Sequence, residues 1–247
     1  MKIIRVPDYE AMSKQAADVL IKRIKELPAP VIGLATGSTP KGMYEQLISA
    51  HQNEGLSFRH VTTFNLDEYI GLPPSDPNSY HSFMQETFFR HIDIPLENIH
   101  IPNGEAALLE NECTRYEALI DKKEIDVQVL GIGENGHIGF NEPGTSFDQI
   151  THVTTLTHST RQANARFFQS AEAVPKQAIT MGIASIMKSR KILLLASGLR
   201  KAEAVARLFS GNISEDFPAS VLHHHPCVTI IADNEALSLS NMKGRTI

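Results

Sequence analysis

The chain has 247 residues, 42% of them hydrophobic and 21% charged, with a formal net charge of −5, no tryptophan and two cysteines. That length supports a single α/β domain, residues 1–247, with a sizeable core, and the acidic balance leaves no general basic field for a polyanion such as DNA or RNA. Cys113 and Cys227 lie far apart and outside any CxxC spacing, so they offer neither a disulfide framework nor a thiolate zinc site, and they point to the reducing cytoplasm.

In chain order, MKIIRVPDYEAMSKQAADVL breaks its apolar residues with Arg5, Asp8 and Glu10, which denies it the continuous apolar core of a signal peptide. No apolar run in the chain is long enough to span a membrane. Apolar residues returning every three or four positions predict helices over residues 12–27, 40–52, 79–92, 112–123, 178–189 and 200–211. Between them, Pro30 to Ala35, Val61 to Leu66, Ile125 to Ile132, Lys191 to Ser197 and Val228 to Asp233 read as buried strands, with His152 to Thr157 a weaker candidate. The alternation is that of a mostly parallel sheet covered on both faces by helices. There is no internal repeat and no linker-like stretch.

In such a sheet ligands bind beyond the carboxyl ends of the strands. Four of the five ends carry chemistry: Thr36-Gly37-Ser38-Thr39, Asp67-Glu68, Asn135 through Glu142, and Ser197-Gly198 followed by Lys201. ATGSTPKGM sets small and hydroxyl residues before Pro40 at a helix start, where free backbone N–H groups suit a phosphate, although a plain polar turn explains it equally well. It lacks the P-loop pattern, so a sugar phosphate fits better than a nucleoside triphosphate.

GIGENG at Gly131 to Gly136 matches the dinucleotide fingerprint, but HIGFNEPG follows where a helix should begin, and no acidic strand end comes at the required distance. His137 in that segment has Asn135 two positions before it and Glu142 five after, close enough for a loop to wrap amide and carboxylate around the imidazole and tune it near neutral pH. A turn histidine beside a solvated carboxylate is the plainer alternative. Asp67 is delivered by a strand to the ligand edge, where burial would raise its pKa and make it a better base; helix capping is the alternative. HHHPC at His223 to Cys227 has divergent neighbouring side chains and no acidic or thiol partner at suitable spacing, so no metal is expected.

The joint presence of ATGSTP, FNLDEYIGL, SYHSFM, GIGENGHIGFNEPG, THSTRQANARFF and LRKA resembles the glucosamine-6-phosphate deaminase (isomerase) family over nearly the whole chain. The resemblance implies a Rossmann-like three-layer αβα sandwich, no cofactor or required metal, and conversion of glucosamine 6-phosphate and water to fructose 6-phosphate and ammonia. It assigns His137 to ring opening with Asn135 and Glu142 orienting it, Asp67 to the proton on carbon 2, and Thr36, Gly37, Ser38, Thr39, Arg166 and Lys201 to the phosphate. It also implies a mobile lid at about residues 157–175.

Asn135 stands where some relatives carry aspartate. Gly144 to Thr155 lacks the Arg and Lys of activator-responsive members, and the C-terminus is shorter. A monomer or low-order homo-oligomer without activation by N-acetylglucosamine 6-phosphate is therefore expected. A 6-phosphogluconolactonase-like hydrolase and a non-catalytic sugar-phosphate sensor are the rival readings.

Overall fold

A computed structural model describes residues 1–170 and 172–240. Residue 171 of the expected lid and residues 241–247 of the expected domain lie outside the described residues.

The strands in chain order are β1 (Lys2–Val6), β2 (Val31–Leu34), β3 (Thr62–Asn65), β4 (Asp67–Tyr69), β5 (Ile99–His100), β6 (Val127–Gly131), β7 (His152–Thr155), β8 (Gln177–Thr180), β9 (Ile192–Ala196) and β10 (Val228–Asp233). The helices are α1 (Tyr9–Glu26), α2 (Lys41–Glu54), α3 (Tyr80–Thr87), α4 (Leu109–Lys123), α5 (His158–Asn164), α6 (Ile183–Met187) and α7 (Ala202–Phe209). Seven strands form a wholly parallel sheet in the order β1-β10-β9-β6-β2-β3-β5.

Because strand side chains alternate between faces, each central strand feeds two cores. Leu193 and Leu195 of β9 pack with Met12, Ala16 and Leu20 of α1 and Met43 and Leu47 of α2. Ile192, Leu194 and Ala196 pack instead with Tyr116 and Ile120 of α4, Ile183 of α6 and Val205 and Leu208 of α7. The result is the expected three-layer α/β sandwich.

Two sequence expectations are corrected here. Residues 178–189 do not form one helix: Ala178 to Thr180 belong to β8, and only Ile183–Met187 is helical. Their apolar spacing resembles a helix because both pieces are buried, Ile179 in one and Ile183 and Ile186 in the other. The sheet also has two edge strands absent from the sequence reading, β1 and the two-residue β5.

A second sheet, β4-β8-β7, is antiparallel and small. Leu66 alone separates β3 from β4, and its N–H and C=O bond to Leu34 O and Met181 N at 3.1 and 2.7 Å, so the chain passes directly from one sheet into the other. Asp67 stands at that corner, paired in register with Thr180.

In the large sheet, strand order runs outward from β2 through β3 to β5, and from β6 the other way through β9 and β10. The reversal falls between β2 and β6, which opens a crevice at their carboxyl ends.

Candidate active site

That crevice is a cavity of about 460 Å³ lined by all four of the strand ends singled out in sequence. Thr36, Gly37, Ser38 and Thr39 come from the end of β2, Asp67 from the corner after β3, Asn135 and His137 from the loop after β6, and Lys201 from the turn after β9. Arg166 reaches it from the segment after α5, with Nη2 3.4 Å from Ser38 Oγ, across 128 positions of sequence. Glu142 is the one sequence-predicted site residue that does not line the cavity; it lies buried behind His137.

Asp67 is only 5% exposed. Burial, reinforced by the neighbouring Glu68 charge, pushes its pKa up to about 8. Close packing maintains that environment, since a Cβ on Gly139, whose φ is +57°, would lie 3.1 Å from Thr180 Oγ1 and 3.5 Å from Asp67 Oδ2. The protein thus holds a carboxyl group whose proton affinity is raised toward neutral pH.

Glu68 points elsewhere. Its carboxylate accepts the backbone N–H groups of Tyr69, Tyr80 and His81, each at 2.8 Å, and so docks the N-terminus of α3. Burial raises its pKa to about 6 against the opposing pull of those N–H donors. The docked helix presents Tyr80 to the cavity wall, stacked on Phe140 with ring planes 12° apart. No sequence signal identified Tyr80, although it lies within SYHSFM.

The loop after β6 builds the histidine. A Cβ on Gly133 would fall 2.4 Å from His137 Cε1, so the imidazole occupies space that only glycine leaves. Asn135 Oδ1 accepts the His137 backbone N–H at 3.2 Å, and Asn135 Nδ2 donates to Glu142 Oε2 at 2.9 Å. The same Glu142 oxygen is 3.7 Å from His137 Nδ1, too long for a hydrogen bond. Burial alone would raise the Glu142 pKa; the His137 imidazole, the Thr160 hydroxyl and the Asn135 amide hold it down to about 2. Glu142 Oε1 also accepts from the Thr157 hydroxyl at 3.2 Å, which ties this carboxylate to the residue capping α5.

Three cations, Arg166, Arg200 and Lys201, also line the cavity. Burial pushes the Lys201 ammonium below its usual range; nearby Arg200 and Arg166 act in the same direction and Glu134 opposes them. A bound dianion would add a counter-charge there. A cavity lined by three cations, a buried carboxyl and a histidine backed by a carboxylate is equipped for proton transfer on a small anionic molecule.

The histidines of HHHPC have other tasks. His223 Nε2 bonds to Leu208 O and His225 Nε2 to Ser189 O, in different directions. Among the described residues no group of three or more His, Cys, Asp or Glu is placed to hold a metal ion, and no helix is long and apolar enough to cross a membrane.

A family model for glucosamine-6-phosphate isomerases and 6-phosphogluconolactonases matches residues 7–230. A glucosamine-6-phosphate deaminase of Geobacillus sp. is 60% identical over 240 residues, which cover 97% of this chain and 96% of the relative. Glucosamine-6-phosphate deaminase 1 of Bacillus subtilis is 58% identical over 97% of this chain and 99% of its own. A solved structure of a monomeric glucosamine-6-phosphate deaminase superposes with a TM-score of 0.96 at 58% identity, covering 97% of this chain and all of the other.

Proposed function

The chain belongs to the family of glucosamine-6-phosphate isomerases and 6-phosphogluconolactonases, and we infer from this membership, with its site geometry, that it is a glucosamine-6-phosphate deaminase. It converts D-glucosamine 6-phosphate and water to D-fructose 6-phosphate and ammonia. The observation carrying this reading is that Asp67, with its pKa raised to about 8, and His137 line one cavity together with Arg166, Arg200 and Lys201.

The phosphate lies on the loop N–H groups and hydroxyls of Thr36 to Thr39, with Arg166 and Lys201 neutralising its charge. His137, oriented by Asn135 and backed by Glu142, moves the proton that opens the pyranose ring. Asp67 then takes the proton from carbon 2 and returns it to carbon 1. This leaves an imine at carbon 2, to which water adds, and ammonia departs. Carbon 1 is reduced as carbon 2 is oxidised within one molecule, so no external electron acceptor enters. Burial suits Asp67 to the first half of the transfer, since a carboxylate of ordinary basicity would take the carbon 2 proton poorly.

Residues 157–175 act as the lid that closes Arg166 over the phosphate, and Thr157 on Glu142 couples that closure to the histidine. The monomeric solved relative supports a monomer or low-order oligomer here, and the two separated cysteines support a cytoplasmic setting. The test is product identity: glucosamine 6-phosphate should give equal amounts of ammonia and fructose 6-phosphate. Hydrolysis of 6-phosphogluconolactone without deamination would instead place the chain in the other branch of its family.

A further inference from the structure

The helix that follows the phosphate loop has no cap of its own. Pro40 occupies the N-cap position of α2 and offers no side-chain acceptor, whereas helices of this kind ordinarily begin with Ser, Thr, Asp or Asn. A residue from the start of α1 takes that part. The Tyr9 hydroxyl accepts the Gly42 backbone N–H at 2.8 Å and donates to the Ser38 carbonyl oxygen at 3.0 Å, so one oxygen atom bridges the first turn of α2 to the loop before it.

Both bonds bear on anion binding. The Ser38 carbonyl carries partial negative charge, and its bond to Tyr9 holds it in one orientation, which fixes the Ser38–Thr39 peptide plane and with it the Thr39 N–H. The Gly42 N–H is already used, so a phosphate must be met by loop N–H groups and hydroxyls rather than by that amide. Ser38 is also the residue whose Oγ lies 3.4 Å from Arg166 Nη2, so the bridge acts on the point where the loop meets its cation. There is little slack in the arrangement: a Cβ on Gly42 would fall 2.4 Å from Ser13 Oγ and 3.1 Å from Tyr9 Cε1, so α2 sits directly on α1.

We propose that Tyr9 is a positioning residue for the phosphate cradle, its hydroxyl capping α2 from α1 while orienting Ser38 for the sugar phosphate. Tyr9 is exposed and lies outside the cavity lining, so it acts on substrate through Ser38 alone. The proposal rests on the reading of residues 36–39 as the phosphate site.

The experiment compares the full-length wild type with Tyr9→Phe, which keeps the ring on Gly42 and removes only the hydroxyl. KM and kcat for glucosamine 6-phosphate, the inhibition constant of inorganic phosphate and the thermal midpoint are measured together. Loss of two ordinary hydrogen bonds predicts that KM and the phosphate constant rise in parallel by roughly three- to tenfold, with kcat changed less than about twofold. A lower thermal midpoint with both constants unchanged would make the bridge a structural tie and overturn the proposal, as would a loss confined to kcat. If inorganic phosphate fails to inhibit the wild type at all, the phosphate reading of the loop falls first and the proposal with it.

Discussion

Asp67 and Glu68 are consecutive carboxylates with opposite destinations: Asp67 enters the cavity while Glu68 turns away to gather three backbone N–H groups, two of them from the start of α3. Strand alternation separates them, and a shared low-dielectric corner couples them. Glu68→Gln keeps the shape but removes the charge and one acceptor. The acid limb of the pH profile of kcat/KM should move to lower pH, because a repulsion that raises the Asp67 pKa has gone. Stability should fall by about 1–3 kcal/mol as a donor at the start of α3 loses its acceptor. An unmoved acid limb in a folded variant would remove Glu68 from the tuning of Asp67.

Asp67 should also destabilise the empty fold. Its folded pKa of about 8 lies above the ordinary aspartate value of 3.8, so the folded state holds a proton that the unfolded chain releases. Its contribution is fully favourable below about pH 4 and is lost progressively as pH rises to about 8. Asp67→Asn should therefore be more stable than wild type in urea at pH 8, with the gap narrowing toward pH 4. A constant gap would mean that Asp67 does not titrate differently on folding.

Glu142 has the opposite sign. Its folded pKa of about 2 lies below the ordinary glutamate value of 4.5, so it stabilises the fold above pH 4.5 and loses that contribution as pH falls toward 2. Glu142→Gln should flatten the acid arm of the stability curve and lower kcat by about 10- to 100-fold, since His137 loses the carboxylate that backs it. Wild-type kcat in this variant would leave the carboxylate with a structural role only.

Gly133→Ala tests the histidine sterically. The added methyl would lie 2.4 Å from His137 Cε1, so the ring must swing out of place. We expect kcat to drop by about 100-fold or more with a cooperative unfolding transition retained, measured by steady-state kinetics beside circular dichroism. Full activity would show that the imidazole tolerates a different seat.

The strands that deliver the site were legible in sequence because β2, β3, β6 and β9 are buried on both faces and read as apolar runs with polar ends. The remaining features depend on contacts between distant parts of the chain. β8 carries helical spacing and becomes a strand only because β4 and β7 flank it. Tyr80 enters the cavity because Glu68 docks its helix, and Glu142 withdraws behind His137 because the glycine loop doubles back. Nothing local marks either outcome. Arg166 came from the family resemblance alone, since its meeting with Ser38 joins segments that periodicity cannot relate.

The central claim is that one buried carboxyl and one carboxylate-backed imidazole act on the same amino sugar, the first as the carrier of the carbon 2 proton. The most direct test is ammonia release from glucosamine 6-phosphate by wild type and Asp67→Asn at matched enzyme concentration, with ligand binding followed by calorimetry. The account predicts equimolar ammonia and fructose 6-phosphate from the wild type, and turnover reduced by about 10³-fold or more in a variant that still binds substrate. Turnover by Asp67→Asn at the wild-type rate would contradict it.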